Sequence, residues 1–270
     1  MLCFLKLNSR NRGKMLTVTS VQNSGNRQFE NNSTPNHGTS RSDVMRNNTR
    51  RFLAIVGIGL ALMMPMRGAF AQSPQQLSAE WWQWALSIPT SVNPQLDTTG
   101  ENAVVGQRGS VWFLAGFFGG GTVIRKCSVP EGTALFFPVI NQINFNSPGV
   151  CGQQGNIPVS ELRAASAAFI DKASNLSVSV DGTAIKIPPP VESQVFSIAL
   201  PKENVFGQPC PPEPPVPAGI YSPAVDKGFY VLLAPLSVGN HSLHFHAKNA
   251  SQKFEQDVTY NLTVVPVILK

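Results

Sequence analysis

Residues 229 to 268 read FYVLLAPLSVGNHSLHFHAKNASQKFEQDVTYNLTVVPVI. Three apolar-rich runs, Phe229 to Ala234, His241 to Lys248 and Phe254 to Ile268, are divided by the turn Val238-Gly239-Asn240 and by a polar stretch. Short β-branched and aromatic runs bounded by Gly, Asn and Ser mark strands. Pro266 has no amide proton to give to a ladder, so the last run is expected to break there. Leu236 to Phe245 and Val258 to Val265 look like the closing strand pair of an immunoglobulin-like or jelly-roll sheet.

The same signal recurs upstream. Val111 to Phe118 is continuously apolar, Gly119-Gly120-Gly121 offers a tight reversal and Thr122 to Val129 leads out, which predicts a hairpin. Thr133 to Ile140 and Val195 to Leu200 read as further strands. Leu176 to Val180 and Thr183 to Ile187 flank Asp181-Gly182, a strong two-residue hairpin turn. Six of the nine residues from Pro209 to Pro217 are proline, a density no sheet interior accepts, so that stretch is expected to be an extended surface loop.

Helical signals are few. Ser73 can cap, Pro74 suits the first helical position and Gln76 completes a capping box. Leu77, Trp81, Trp84 and Ile88 then form one apolar stripe, Trp82 falls beside it, and Pro89 ends the run. A second helix is expected over Ser160 to Ala173, capped by Ser160, with Leu162, Ala165, Phe169 and Ala173 on one side. Eight or so short strands and two helices predict a mainly β fold, an antiparallel β-sandwich of jelly-roll or immunoglobulin-like type with two short helices, forming a single domain over residues 72–270.

Met45 opens a three-part export signal. A Met-Arg-Asn-Asn-Thr-Arg-Arg segment is followed by thirteen uncharged residues from Phe52 to Met64, then Pro65 and the tripeptide Ala69-Phe70-Ala71. The apolar run is shorter than the roughly 20 residues a membrane-spanning helix needs. Residues 45–71 therefore read as a signal peptide, with cleavage between Ala71 and Gln72 and a secreted or periplasmic product. Arg50 and Arg51 lack the residue that follows them in a twin-arginine signal, which favours Sec export. Residues 1–44 are rich in Asn and Ser without hydrophobic periodicity, and read as an upstream extension from a misassigned start or as disorder.

The charge follows the leader. The chain carries 21 basic and 15 acidic residues, of which ten and two precede Gln72, leaving eleven and thirteen in the remainder. A net charge of −2 over residues 72–270 removes the basic footprint that nucleic acid requires. No transmembrane segment is expected in the mature chain.

Outside the cytosol disulfides persist. Cys151 and Cys210 both lie in Gly/Pro-rich segments and are the expected pair, closing a loop worth roughly 4 kcal/mol in the chain-entropy model. Cys127 follows Arg125 and Lys126, which favours a reactive thiolate; the plainer reading is a buried strand cysteine.

His244 and His246 share a strand face, while His241 points to the other. The first two can offer nitrogens to a transition metal such as Zn, with Glu255 or Asp257 as a third ligand for a metal-dependent hydrolase or lyase. The spacing resembles the His-x-His of cupin barrels, without the glutamate expected shortly after it. Otherwise the pair decorates a polar strand face and no cofactor is implied. Asn93, Asp97 and Glu101 bring oxygens close enough for Ca²⁺, or simply for an Asx-turn. Trp82, Trp112, Tyr221 and Tyr230 can stack on sugar rings, although Trp112 reads as core. Nucleophile elbow, zincin and phosphate-loop patterns are missing, and the 119–121 glycines open no helix that would hold a dinucleotide.

Three stretches together resemble a group of uncharacterised secreted bacterial proteins: Trp81 to Pro89 with Asn93-Pro94 and Asp97; Gly106-Gln107 through Val111 to Gly116; and Gly228-Phe229-Tyr230 through Pro235-Leu236-Ser237, Gly239 and His241. The resemblance spans nearly all of residues 72–270. It implies export and a shared fold, and no activity or catalytic residue. The expected function is that of an exported non-enzymatic protein that binds a surface glycan or an envelope protein, or serves as an envelope component.

Overall fold

Helix α1, Pro74–Ser87, opens a computed structural model that describes residues 72–209, 211 and 214–267. Its capping box forms as expected: the Gln76 amide donates to Ser73 Oγ, and the Ser73 amide donates to Gln76 Oε1. Leu77, Trp81, Trp84 and Ile88 are buried, and so is Trp82. The expected leader, residues 1–71, lies outside the described residues.

Among the described residues, ten strands make two five-stranded sheets. The first contains β1 (Val111–Phe113), β3 (Ala134–Phe145) and β8 (Gly219–Leu233), with β6 (Val191–Glu192) and β7 (Phe196–Leu200) both pairing along β8. The second runs in the order β2 (Gly121–Pro130), β10 (Phe254–Val265), β9 (Gly239–Asn249), β4 (Ser174–Val180) and β5 (Thr183–Ala184). The fold is mainly β with two short helices. Both sheets are mixed rather than purely antiparallel, since β1 runs parallel to β3 and β2 parallel to β10.

Strand β3 shows why its sequence is apolar without alternation. Phe136 stacks on Tyr230 in the layer shared with α1, where Trp84 and Phe113 also meet. Phe137, one residue on, stacks on Phe245 of the second sheet with ring centroids 5.1 Å apart. Neighbouring residues thus serve two cores, and a strand buried on both faces needs apolar side chains at every position. β9 is covered on one face only: Leu243, Phe245 and Ala247 are buried inward, while Ser242, His244 and His246 alternate outward.

The expected 111–129 hairpin does not form, because β1 and β2 belong to different sheets. The carbonyls that would build its ladder are taken by side chains. Trp81 Nε1 donates to the Leu114 carbonyl, and the Arg125 guanidinium donates to those of Ala115 and Gly116. Gly120, at φ +83°, then lets the backbone pass where a Cβ would meet the Glu255 carbonyl at 2.6 Å. The glycines carry the chain from one sheet to the other.

Helix α2, Val159–Ile170, packs on β3 and β8. Ser160 does not cap it; Pro158 stands at the N-cap without a side-chain bond, and the buried stripe is Leu162, Ser166 and Ile170. No helix among the described residues is long and apolar enough to cross a membrane.

Candidate functional site

The outward face of the second sheet is built from alternate residues of β2, β10 and β9. Lys126, Asn261 and Ser242 stand side by side in register, and Ser128, Thr263 and Asn240 form the next row. All six are exposed. They line a cleft of about 540 Å³ together with Cys127, Leu262, Asp181 and His241. Neighbouring strands lie about 4.8 Å apart, so each row presents donors and acceptors at a fixed repeat.

Asp181 and His241 also line the cleft, although His241 alternates with the outward Asn240 and Ser242 along β9. Asp181 holds φ +51° in the β4–β5 turn, the left-handed geometry that an Asp-Gly hairpin requires. Its Oδ1 accepts the Ser242 amide at 2.8 Å, and its Oδ2 lies 2.7 Å from His241 Nδ1. His241 Nε2 lies 2.9 Å from the Ser237 carbonyl and 3.3 Å from Ser237 Oγ. The hydrogen bond from His241 and the Ser242 amide hold the Asp181 carboxyl below its usual range. The Asp181 and Ser237 acceptors raise the His241 imidazole above its ordinary value.

Ser237, His241 and Asp181 are the residue types of a nucleophilic triad, but their hydrogen bonds run the wrong way for one. A triad needs a bare Nε2 to take the serine proton. Here Nε2 lies nearer the Ser237 carbonyl, at 2.9 Å, than Ser237 Oγ, at 3.3 Å; the carbonyl can only accept, so while the imidazole is doubly protonated Nε2 is a donor and no base toward Oγ.

His244 and His246 do share the outward face, and the carboxylates considered as third ligands do reach them, one each. His244 Nε2 lies 2.9 Å from Asp257 Oδ1. His246 Nε2 lies 3.0 Å from Glu255 Oε1, and its Nδ1 lies 2.8 Å from the Asn175 carbonyl. Burial pulls the His246 imidazole down, but these acceptors outweigh it and the imidazole sits above its ordinary value. Lys248 takes the other Glu255 oxygen at 3.2 Å. Among the described residues, no group of three or more His, Cys, Asp or Glu is arranged to hold a metal ion.

The remaining oxygens do not converge. Asp97 forms an Asx-turn, accepting from the amides of Thr99, Gly100 and Asn102 and from the Thr99 hydroxyl. Burial raises its carboxyl, yet these donors outweigh burial and hold it below the usual range. Asn93 instead donates to the carbonyls of Ala85 and Ile88 at the end of α1, and Glu101 is exposed. Of the aromatic candidates, Trp82 and Tyr230 are buried; Trp112 and Tyr221 are half-buried, so Trp112 is not full core.

Cys127 is a free, half-buried thiol. Burial, opposed by Arg125, pushes it up to about 11, which speaks against the thiolate alternative and fits the plainer reading of a strand cysteine. Cys151 is partnered, while Cys210 lies outside the described residues.

Two buried polar centres gave no local signal. Arg125 is sealed in the interior with Nε on the Asp97 carbonyl at 2.7 Å and Nη1 on the Tyr260 hydroxyl at 2.7 Å. Asp226 accepts from Trp82 Nε1 at 2.7 Å and from the Tyr230 hydroxyl at 3.0 Å. Both tie elements far apart in sequence, which no spacing rule reveals.

No family model, curated protein or solved structure matches this chain.

Proposed function

We propose that the chain is an exported, non-enzymatic β protein that binds a glycan on the outward face of its second sheet. The observation that carries this reading is the pair of in-register polar rows, Lys126–Asn261–Ser242 and Ser128–Thr263–Asn240, beside a cleft of about 540 Å³. Sugar hydroxyls both donate and accept, and Asn, Ser and Thr side chains answer them in both senses. Without an aromatic platform, affinity comes from hydrogen bonds that replace equally good bonds to water. Dissociation constants of roughly 10 μM to 1 mM, or about −7 to −4 kcal/mol, are the expected scale.

Export rests on the three-part leader and on a local point: Ser73 stands two residues beyond the expected cleavage site. Processing between Ala71 and Gln72 leaves the capping box of α1 whole. N-terminal sequencing of the exported product should begin at Gln72.

The binding test is a glycan array followed by titration of wild type, Asn261→Ala, Ser242→Ala and the distant control Lys202→Ala. Each cleft variant should weaken binding about tenfold, equivalent to about 1.4 kcal/mol, with the control unchanged. Silence across the array, or cleft variants that bind like wild type, would overturn the glycan reading. Capture of an envelope protein on the same face would replace it.

A further inference from the structure

His241 joins two parts of the chain that are not hydrogen-bonded to each other as strands. Its Nδ1 meets the Asp181 carboxylate in the β4–β5 turn, and its Nε2 meets the Ser237 carbonyl in the β8–β9 connection. Both partners are acceptors, so both bonds exist together only when both ring nitrogens carry protons. We propose that His241 is a proton-operated latch that fastens the β8–β9 connection to the β4–β5 turn at the cleft and releases it when the imidazole becomes neutral.

The direction of release follows from the partners. A neutral imidazole has one N–H, and the carboxylate is the stronger acceptor, so the proton stays on Nδ1. Nε2 then turns a lone pair toward the Ser237 carbonyl at 2.9 Å, a repulsive contact; the Ser237 hydroxyl at 3.3 Å can donate to it only after the backbone carbonyl has swung off, so the connection moves away from its present position. Leu236 remains packed against the core between the sheets, which confines the movement to Ser237 and Val238. Val238 is already exposed. Asp181 stays in place, because its amide donates to the Ser242 carbonyl and its Oδ1 accepts the Ser242 amide.

The charged and titratable groups around His241 are few. Asp181 faces it from the β4–β5 turn and favours the proton. Lys126 and Cys127 line the same cleft from β2; the lysine opposes the proton and the thiol is neutral, having been pushed up to about 11 by burial. Asn261, Leu262 and Thr263 from β10, Asn240 and Ser242 from β9, and Ser237 itself carry no charge. The Asp181 bond dominates, so the latch is shut below the ordinary imidazole pKa of 6.5 and opens as pH rises through the raised value of the folded protein. The latch does not depend on the glycan reading, although it would shape the rim of the same cleft.

The test is an NMR titration of the His241 ring, with amide hydrogen exchange of residues 236–240 followed over the same pH range and corrected for intrinsic exchange. The imidazole should titrate above the ordinary value. Protection of the connection should fall at least tenfold through the same midpoint. In Asp181→Asn the two midpoints should move down together; wild type alone decides the matter if that variant does not fold. Exchange that shows no step at the His241 midpoint, or a ring that titrates at or below the ordinary value, would overturn the latch.

Discussion

Asp226 Oδ1 accepts two hydrogen bonds inside the core beneath α1, while Oδ2 is buried without a partner. Burial pushes this carboxyl up to about 8, against the pull of the Trp82 and Tyr230 donors. The native state therefore keeps a proton that the unfolded chain, titrating near 3.8, gives up. Stability from this group is fully present below 3.8 and is lost as pH rises toward about 8. At about 1.4 kcal/mol per unit of pH at most, the loss between pH 5 and pH 8 is on the order of 2–4 kcal/mol. Denaturant unfolding across that range should show the decline in wild type and a much flatter profile in Asp226→Asn. Asp97 has the opposite sign: its carboxyl is lowered, so its contribution is present above 3.8 and lost as pH falls. Asp97→Ala removes the acceptor for three backbone amides and one hydroxyl, and should cost about 1–3 kcal/mol in chemical denaturation at pH 7. The Asx-turn was legible because its bonds are local. Asp226 was not, because its Trp82 partner lies 144 residues away and its burial depends on the strand face it occupies.

Elements whose signals lie within a few residues were readable from the sequence. The Ser73 capping box and the Trp stripe define α1, the Asp181-Gly182 turn joins β4 to β5, and β10 ends at Val265 just before Pro266. Trp84 is held on both sides, its indole N–H on the Val105 carbonyl at 2.9 Å and its ring against Phe113. Trp84→Ala should therefore destabilise by roughly 3–5 kcal/mol in thermal or denaturant unfolding. Pairing over long distance was not readable. The glycines at 119–121 look the same whether they reverse a strand or carry it to another sheet, and what decides is Arg125 claiming the carbonyls of Ala115 and Gly116. The first half of β8 was hidden by Pro223, which removes one donor from a strand that nevertheless pairs with β3 through Ala224 and Val225. The α2 cap was misread because Pro158 already fixes the entry to the helix two residues before Ser160.

At the scale of the molecule, the described residues fall within one compact unit with two cores, one between the sheets and one under α1. That layering leaves the outward face of the second sheet uncovered, and the sequence furnishes it mostly with Ser, Thr, Asn, His and single charges, Ile124 and Val265 being exposed apolar exceptions. His244 and His246 were legible as neighbours on this face, but their separate capture by Asp257 and Glu255 was not, since it depends on how β9 registers with β10. The six-residue polar grid was invisible for the same reason: its members come from three strands up to about 140 residues apart, and register alone assembles them. The most direct measurement is a backbone and side-chain amide NMR titration of the purified chain with the saccharide selected by the array. The proposal predicts shift changes centred on Asn240, Ser242, Asn261 and Thr263, saturating with one dissociation constant. Changes centred on α1 or the first sheet, with those four residues undisturbed, would contradict it.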